Sequence, residues 1–231
     1  MKPGFVFIPA LGCDAGLYTY LASGIADLVT TRVVIPDQDH LDGCVTQLLS
    51  QSPEKFFVAG TSFGGHVARE VALAAPDRVI GVMIMGAGAG PAADPEAGRK
   101  RSQRLRGGEH AKIIQDMAAI ITSPASPRSR QAREIFLAMV LAANPDLIAR
   151  QNDALIIRAD RWADLEKITA PALLLWGADD RFSPPSDGLR MAGLMPHARF
   201  VELEDVGHLP SLEAPEDCLE ALRHWLMDHL A

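Results

Sequence analysis

The chain has 231 residues, of which 48% are apolar, and carries a formal net charge of −7 at pH 7. This acidic balance excludes functions that depend on a basic surface, so we expect no nucleic-acid partner and no anionic membrane as a partner. No apolar run approaches the roughly 20 residues of a membrane-spanning helix, and the length is enough for one sizeable hydrophobic core.

The cysteines and the N-terminal segment indicate the compartment. Cys13, Cys44 and Cys218 lack the spacing of a metal site or a redox pair. Their odd number and low density favour reduced thiols. Residues 1–9 are too short for a signal peptide, and we interpret them as the first strand. We therefore predict a cytoplasmic protein.

Predicted strands and helices alternate along the first 85 residues. Short apolar runs predict strands over 4–9, 33–35, 56–59 and 79–85. Helices are predicted over 17–28, from 43 to about 50, and from 67 to 75. We expect strand 33–35 to lie near an exposed edge of the sheet.

Gly60, Ser62 and Gly64 follow the buried strand 56–59 and form the pattern G-x-S-x-G ahead of a helix. In a strand–turn–helix context, such a turn strains the serine backbone and lifts its hydroxyl clear of the sheet. The two glycines remove side chains that would clash where the strand and the helix approach each other. The start of the helix adds a partial positive charge beside the oxygen. The pattern predicts that Ser62 is a nucleophile.

Strand signals disappear between residues 90 and about 165. Two apolar stripes at helical spacing occur there, with Ile113, Ile114, Met117, Ile120 and Ile121 in the first and Ile135, Phe136, Met139 and Val140 in the second. Asn144 is a plausible N-cap with Pro145 at the first helical position. We predict an all-helical lid over the mouth of the sheet.

The basic run over 99–106 is expected to be a solvated helix face. The methionines at 83, 85, 117 and 139 are expected to pack in the core.

Strand signals return at 172–176 and 199–203, and a helix is predicted over 215–230. Strands that alternate with helices indicate a mostly parallel sheet of about six strands with helices on both faces. We therefore predict a single α/β domain over residues 1–231 with a lid insertion over about 90–165.

A serine nucleophile needs a histidine to accept its proton and an acid to orient that histidine. In a parallel sheet these groups are expected in loops at the carboxyl ends of the strands. The loop after strand 172–176 supplies Asp179 and Asp180, and the loop after strand 199–203 supplies His208. The other histidines fit less well: His40 and His66 precede the acid, His110 lies in the insertion, His197 precedes the last strand, and His224 and His229 lie on the last helix.

Three segments of this sequence resemble the motifs of α/β-hydrolase-fold serine hydrolases. They read G-T-S-F-G-G, L-L-L-W-G-A-D-D-R-F-S-P and V-G-H-L-P-S-L-E-A-P-E, and they occur in the order and at the spacing of that superfamily. The resemblance implies the α/β-hydrolase fold and a Ser62–Asp180–His208 triad. In the family the acid usually lies three residues after the strand-ending glycine, here Gly177, which favours Asp180 and leaves Asp179 as a turn residue.

The resemblance also implies an oxyanion hole made of two backbone N–H groups, those of Phe63 and Leu11. The family commonly carries H-G-x after the first strand, whereas this chain has P-A-L-G over 9–12. A backbone donor does not depend on the side chain, so Leu11 remains the candidate. For Cys13, in the same loop, we expect a structural role.

The predicted reaction is hydrolysis of a carboxylic ester, thioester or lactone through an acyl-enzyme, with no metal or cofactor. The apolar lid suggests a small to medium, partly apolar substrate. The D-D-R-F-S-P-P-S-D-G-L stretch resembles carbon–carbon bond hydrolases of ring-cleavage products. An enol-lactonase, a cofactor-free perhydrolase, a hydroxynitrile lyase and a non-catalytic ligand receptor of the same fold also stay open, and the sequence leaves the oligomeric state open.

Overall fold

The computed structural model describes residues 2–230, and its centre is one six-stranded sheet. The strands are β1 (Gly4–Ile8), β2 (Thr30–Val33), β3 (Phe56–Thr61), β4 (Val79–Met85), β5 (Ala172–Gly177) and β6 (Ala198–Leu203). Their order is β2-β1-β3-β4-β5-β6, and every neighbouring pair is parallel. The predicted α/β fold with about six strands is confirmed.

Burial along the strands follows their position in the sheet. Every residue of β3 and β5 is buried, whereas β2 and β6 alternate between exposed and half-buried residues. Central parallel strands are covered by helices on both faces, which explains their continuous apolar runs. The edge strands have one face open to solvent.

The prediction of the edge strand was wrong in its position. The sequence predicted a strand over 33–35, but β2 spans Thr30–Val33 and pairs Thr30 with Gly4 of β1. An exposed edge strand needs no apolar run, so Thr30, Thr31 and Arg32 gave no strand signal. The apolar residue Val34 follows the strand and is buried.

Helices cover the sheet and fill the segment between β4 and β5. They are α1 (Thr19–Gly24), α2 (Leu41–Gln51), α3 (Phe63–Ala74), α4 (Pro95–Arg106), α5 (His110–Ala118), α6 (Ser129–Ala142), α7 (Pro145–Ile156), α8 (Pro185–Leu194), α9 (Pro210–Glu213) and α10 (Pro215–His229). A single helix over 17–28 was predicted, but a short 3₁₀ turn at Ala15–Tyr18 precedes α1, which ends at Gly24. Among residues 2–230, every helix is too short or too polar to cross a membrane.

Helices α4 to α7 lie in the segment where the sequence predicted a helical insertion, and we call residues 90–165 the helical insertion. The Asp94 side chain caps α4 by accepting the N–H of Ala97 at 2.9 Å. The predicted N-cap Asn144 accepts the N–H of Asp146 at 2.9 Å at the start of α7. Such caps satisfy N–H groups that have no acceptor within the helix.

Candidate active site

Ser62 lies at the turn between β3 and α3 in a strained backbone conformation. Its φ and ψ are 55° and −116°, in a region that non-glycine residues rarely adopt. Its N–H donates to the carbonyl of Met85 at 2.8 Å, and its carbonyl accepts the N–H of His66 at 3.0 Å. These two hydrogen bonds hold the strained turn and leave the hydroxyl free to face the space above the sheet.

Gly60 and Gly64 are required by close contacts around this turn. A Cβ on Gly60 would lie 2.0 Å from the carbonyl oxygen of Gly64, and a Cβ on Gly64 would lie 1.9 Å from that of Ile8. Any side chain at either position would push α3 away from β3 or β1. The G-x-S-x-G pattern is therefore explained by the packing that exposes Ser62.

Asp180 and Asp179 point in different directions. Asp180 Oδ1 accepts the N–H groups of Phe182 and Ser183 at 2.8 and 3.0 Å, which fixes the carboxylate in a buried position. Asp179 instead accepts the hydroxyl of Ser123, in the helical insertion, at 2.5 Å. Of the two acids, Asp180 is the one that is hydrogen-bonded to a histidine, His208.

His208 is buried and faces the Asp180 carboxylate. Its Nδ1 lies 2.8 Å from both carboxylate oxygens. Because a carboxylate only accepts, Nδ1 carries the proton in this contact and Nε2 is left as the acceptor. The backbone N–H of His208 donates to the carbonyl of Ile121 at 2.9 Å, and the Phe182 ring lies 4.8 Å from the imidazole.

The two predicted oxyanion donors belong to the turn that carries Ser62 and to the loop after β1. Phe63 is the first residue of α3, so its N–H has no acceptor within the helix. Leu11 lies in the loop after β1 and lines the same cavity as Ser62 and His208. Backbone donation by both residues to one oxygen stays a prediction.

Gln151 of α7 braces the loop that contains Leu11. Its side-chain oxygen accepts the N–H of Gly12 at 2.9 Å, and its side-chain nitrogen donates to the carbonyl of Pro36 at 2.8 Å. Gly12 has a φ of 69°, which favours glycine. A buried amide therefore braces the loop in which the family's H-G-x pattern is missing. Sequence analysis missed Gln151, which carries no local signal.

A cavity of about 390 Å³ lies over Ser62 and His208. Much of its wall is apolar and comes from the helical insertion, with Met117, Ile121, Phe136 and Leu155. Met83, Met85 and Met139 are buried in the core as predicted, whereas Met117 is half-buried, packs against the core and also lines the cavity. An apolar pocket with a few polar groups is typical of a small-molecule site.

His66 is a second histidine of the cavity wall. Its Nδ1 accepts a hydrogen bond from the Arg69 guanidinium at 3.1 Å, so a neutral ring carries its proton on Nε2. Burial, followed by the charges of Arg69, Arg158 and His208, lowers the pKa of His66 well below 6.5. The ring therefore stays neutral and offers a donor to the cavity.

Cys13 is buried in the loop after β1. Burial and the neighbouring Asp14 carboxylate raise the pKa of the Cys13 thiol far above its ordinary value. A thiol needs to ionise to act as a nucleophile, so the predicted structural role fits its surroundings. Cys44 and Cys218 are also buried free thiols.

A parallel sheet with a serine at a strained strand–helix turn, and with an Asp–His pair at the same edge, defines the alpha/beta hydrolase class of proteins. The chain belongs to the alpha/beta hydrolase family, whose sequence model matches residues 5–221. The resemblance found in the sequence is thereby confirmed at the level of the family.

Two groups of sequence relatives carry different activities in their names. A 2-hydroxy-6-oxononadienedioate/2-hydroxy-6-oxononatrienedioate hydrolase of Dechloromonas aromatica is 31% identical over 67% of this chain and 56% of that protein. A pimeloyl-(acyl-carrier protein) methyl ester esterase of Nitrosomonas europaea is 29% identical over 80% of this chain and 77% of that protein. The chain therefore spans less than two thirds of the length of the first of these relatives.

Solved structures show the same fold. A thermophilic esterase from Thermogutta terrifontis superposes with a TM-score of 0.91 at 24% identity, covering 100% of this chain and 92% of that chain. The enol-lactonase from Burkholderia xenovorans LB400 superposes with a TM-score of 0.87 at 19% identity, covering 98% and 92%.

Proposed function

We propose that the chain is a serine hydrolase that cleaves a carboxylic ester, thioester or lactone. One observation carries the proposal: Ser62, at a strained turn, shares a cavity with His208, whose Nδ1 is hydrogen-bonded to a buried carboxylate. A serine, a histidine and an acid in this order along the chain are the residues that acyl transfer through a covalent intermediate requires.

The proposed reaction has two steps. His208 Nε2 accepts the proton of the Ser62 hydroxyl as its oxygen attacks the carbonyl carbon, and the alcohol leaves with that proton. Water then attacks the acyl-enzyme, His208 accepts the proton of the water and passes it to the Ser62 oxygen, and the acid is released as the bond to that oxygen breaks. Asp180 holds the imidazole tautomer and stabilises the imidazolium. The N–H groups of Leu11 and Phe63 stabilise the oxyanion in both steps.

The proposed substrate is small to medium in size and partly apolar. The cavity of about 390 Å³ lies within the range of small-molecule sites. Phe136 and Leu155 of the helical insertion would contact the apolar part of the substrate, while His66 would offer its Nε2–H to a polar group.

A second candidate is carbon–carbon bond hydrolysis. The relatives that are 31% identical over 67% and 71% of this chain are named as 2-hydroxy-6-oxononadienedioate/2-hydroxy-6-oxononatrienedioate hydrolases. The same triad can serve both reactions, so the substrate decides between them. Turnover of a ring-cleavage dienoate but of no ester, thioester or lactone would favour this candidate. Specific binding without turnover would favour the ligand receptor.

The test compares wild type with Ser62→Ala on 4-nitrophenyl butyrate, followed by absorbance. We expect kcat to fall by up to about 10⁶-fold if the triad acts as one unit. Ser50→Ala, an exposed serine in α2, is the matched control and should keep the wild-type rate. A fluorophosphonate reagent should label wild type on the Ser62 peptide. The proposal would be overturned if a folded Ser62→Ala protein hydrolysed the ester at the wild-type rate, or if the reagent labelled another residue.

A further inference from the structure

Two arginines of the cavity wall have no carboxylate partner among residues 2–230. They are Arg101 of α4 and Arg158, two residues after the end of α7. Within the part of the chain that the structure describes, neither forms an ion pair. The other residues of the predicted basic run are paired: Arg99 and Lys100 with Glu96, Arg104 with Glu109, and Arg106 with Asp146 and Asp153. The run is therefore a solvated face, as expected, with Arg101 as its exception.

The Arg158 guanidinium is held in place by three backbone carbonyls. Its Nε, Nη1 and Nη2 donate to Gly90, Leu155 and Pro91 at 3.0, 2.8 and 3.0 Å. Of the five N–H groups of a guanidinium, two remain free. The carbonyls orient the group but do not neutralise its charge, and burial lowers the pKa of Arg158.

Arg101 is oriented by a buried amide. Its Nη1 donates to the side-chain oxygen of Asn152 at 3.1 Å. The Asn152 nitrogen is already used, since it donates to the Gly98 carbonyl at 2.9 Å and to the Ser102 hydroxyl at 2.7 Å. This arrangement turns the amide oxygen toward Arg101 and leaves the remaining N–H groups of the guanidinium available. Burial lowers the pKa of Arg101 as well.

Charge is distributed unevenly around the cavity. The two unpaired cations come from the helical insertion, while the acids come from the core, with Asp187 of α8 in the wall and Asp180 behind His208. Burial raises the pKa of Asp187 against the opposing charge of Arg190. A molecule with one negative end would lie with that end toward the insertion and its neutral end toward Ser62.

From this arrangement we infer that the substrate carries a carboxylate at the end remote from the bond that is cleaved, and that Arg158 and Arg101 bind it. The inference rests on the proposed hydrolase function and adds the chemical class of its substrate. A half-buried cation without a counterion is costly, and an incoming anion removes that cost. The two free N–H groups of Arg158 are equal in number to the two oxygens of one carboxylate.

The test uses ester pairs that differ only by a carboxylate in place of a methyl group. Mono-4-nitrophenyl glutarate against 4-nitrophenyl pentanoate places the charge on the acyl side. 3-Acetoxypropanoate against propyl acetate places it on the alcohol side, followed by titration of the released acid. We expect wild type to prefer the charged ester of at least one pair in kcat/KM by about 10- to 100-fold, as hydrogen bonds to a charged group provide.

Arg158→Gln and Arg101→Gln should each reduce this preference, measured as the ratio of kcat/KM for the charged and the neutral ester, by about tenfold or more. Arg104→Gln, on the same helix as Arg101 but paired with Glu109, is the control and should keep the preference. Added salt should weaken the preference in wild type, because it screens the charges.

The inference is overturned if wild type prefers neither charged ester, or if the arginine variants slow the charged and neutral esters by the same factor. Ser62-dependent turnover of the neutral esters in that case leaves the proposed function intact. If no ester is turned over, the proposed function fails by itself. In that case, binding of glutarate to wild type, measured by calorimetry and lost in Arg158→Gln, would still support the anion site. No binding of glutarate to wild type would rule the anion site out.

Discussion

The Glu213 carboxylate accepts the backbone N–H of Ser123 at 2.7 Å and so joins the loop that carries His208 to the helical insertion. The same carboxylate accepts the N–H groups of Gly207 and Leu209 at 2.9 and 3.1 Å. Both neighbours of His208 are thus held by one buried side chain. Burial raises the pKa of the Glu213 carboxyl, while the N–H donors and the His208 charge oppose that rise.

Glu213→Gln should lower both stability and turnover. The amide replaces one accepting oxygen by a donor that faces a backbone N–H group, so we expect a loss of about 1–3 kcal/mol in the free energy of unfolding. A looser His208 should lower kcat by about tenfold or more, with a smaller change in KM. Urea unfolding and ester kinetics measure the two effects.

The control for this variant is Glu216→Gln, whose carboxylate lies on the surface beside Arg128. It should change stability by less than about 0.5 kcal/mol. If Glu213→Gln loses stability but keeps the wild-type kcat, Glu213 supports the fold without positioning His208.

Asp180→Asn and Asp179→Asn should separate the two neighbouring acids. In Asp180→Asn the amide favours the wrong tautomer of His208, and kcat should fall by about 10⁴-fold. Asp179→Asn disturbs only the contact with Ser123 and should cost far less. Ester kinetics on both variants provides the measurement, and circular dichroism checks that both fold. Reversed losses would assign the acid role to Asp179.

The centre of the fold was predictable because buried parallel strands carry continuous apolar runs. The strand from Val79 to Met85 was predicted with its observed bounds, and the strand beginning at Phe56 led directly to Ser62. The edge strand beginning at Thr30 was misplaced, since an exposed strand carries no apolar signal. Local periodicity reports which face of an element is buried, and it fails where no face is well buried, as in the edge strand Thr30–Val33.

The candidate triad was predictable from motifs, but the groups that brace it were not. Glu213 bonds to a residue 90 positions away, and Gln151 bonds to a residue 139 positions away. Such pairings depend on how the helical insertion packs on the core, which local patterns do not describe. Glu213 stands within the quoted V-G-H-L-P-S-L-E-A-P-E motif, so its position was visible even though its role was not.

His66 should make stability depend on pH. Its pKa lies well below 6.5 in the folded protein because of burial and the Arg69, Arg158 and His208 charges. The unfolded chain therefore binds a proton below about pH 6.5 that the folded protein does not bind. The free energy of unfolding should fall as the pH is lowered from 7 to 5, by up to about 1.4 kcal/mol per pH unit for this group.

His66→Asn should flatten that dependence, because the asparagine oxygen can still accept from Arg69 but does not titrate. His224→Asn removes an exposed histidine and should leave the slope unchanged. Urea unfolding at pH 7, 6 and 5 measures all three proteins. An identical slope in wild type and His66→Asn would show that another group causes the pH dependence.

Phe136→Ala should change which acyl chains the protein accepts. Phe136 is buried and lines the cavity from α6, in the helical insertion. Removing its ring should enlarge the pocket, so kcat/KM for hexanoate and octanoate 4-nitrophenyl esters should rise relative to the acetate ester. A change of one or two methylene groups in such a pocket is worth about 1–3 kcal/mol, or about 10- to 200-fold in relative kcat/KM. Leu137→Ala, one residue further along α6 and outside the cavity wall, should scale all chain lengths by one factor. The same uniform scaling in Phe136→Ala would make the insertion a cover over the active site, with specificity set by the strand-end loops.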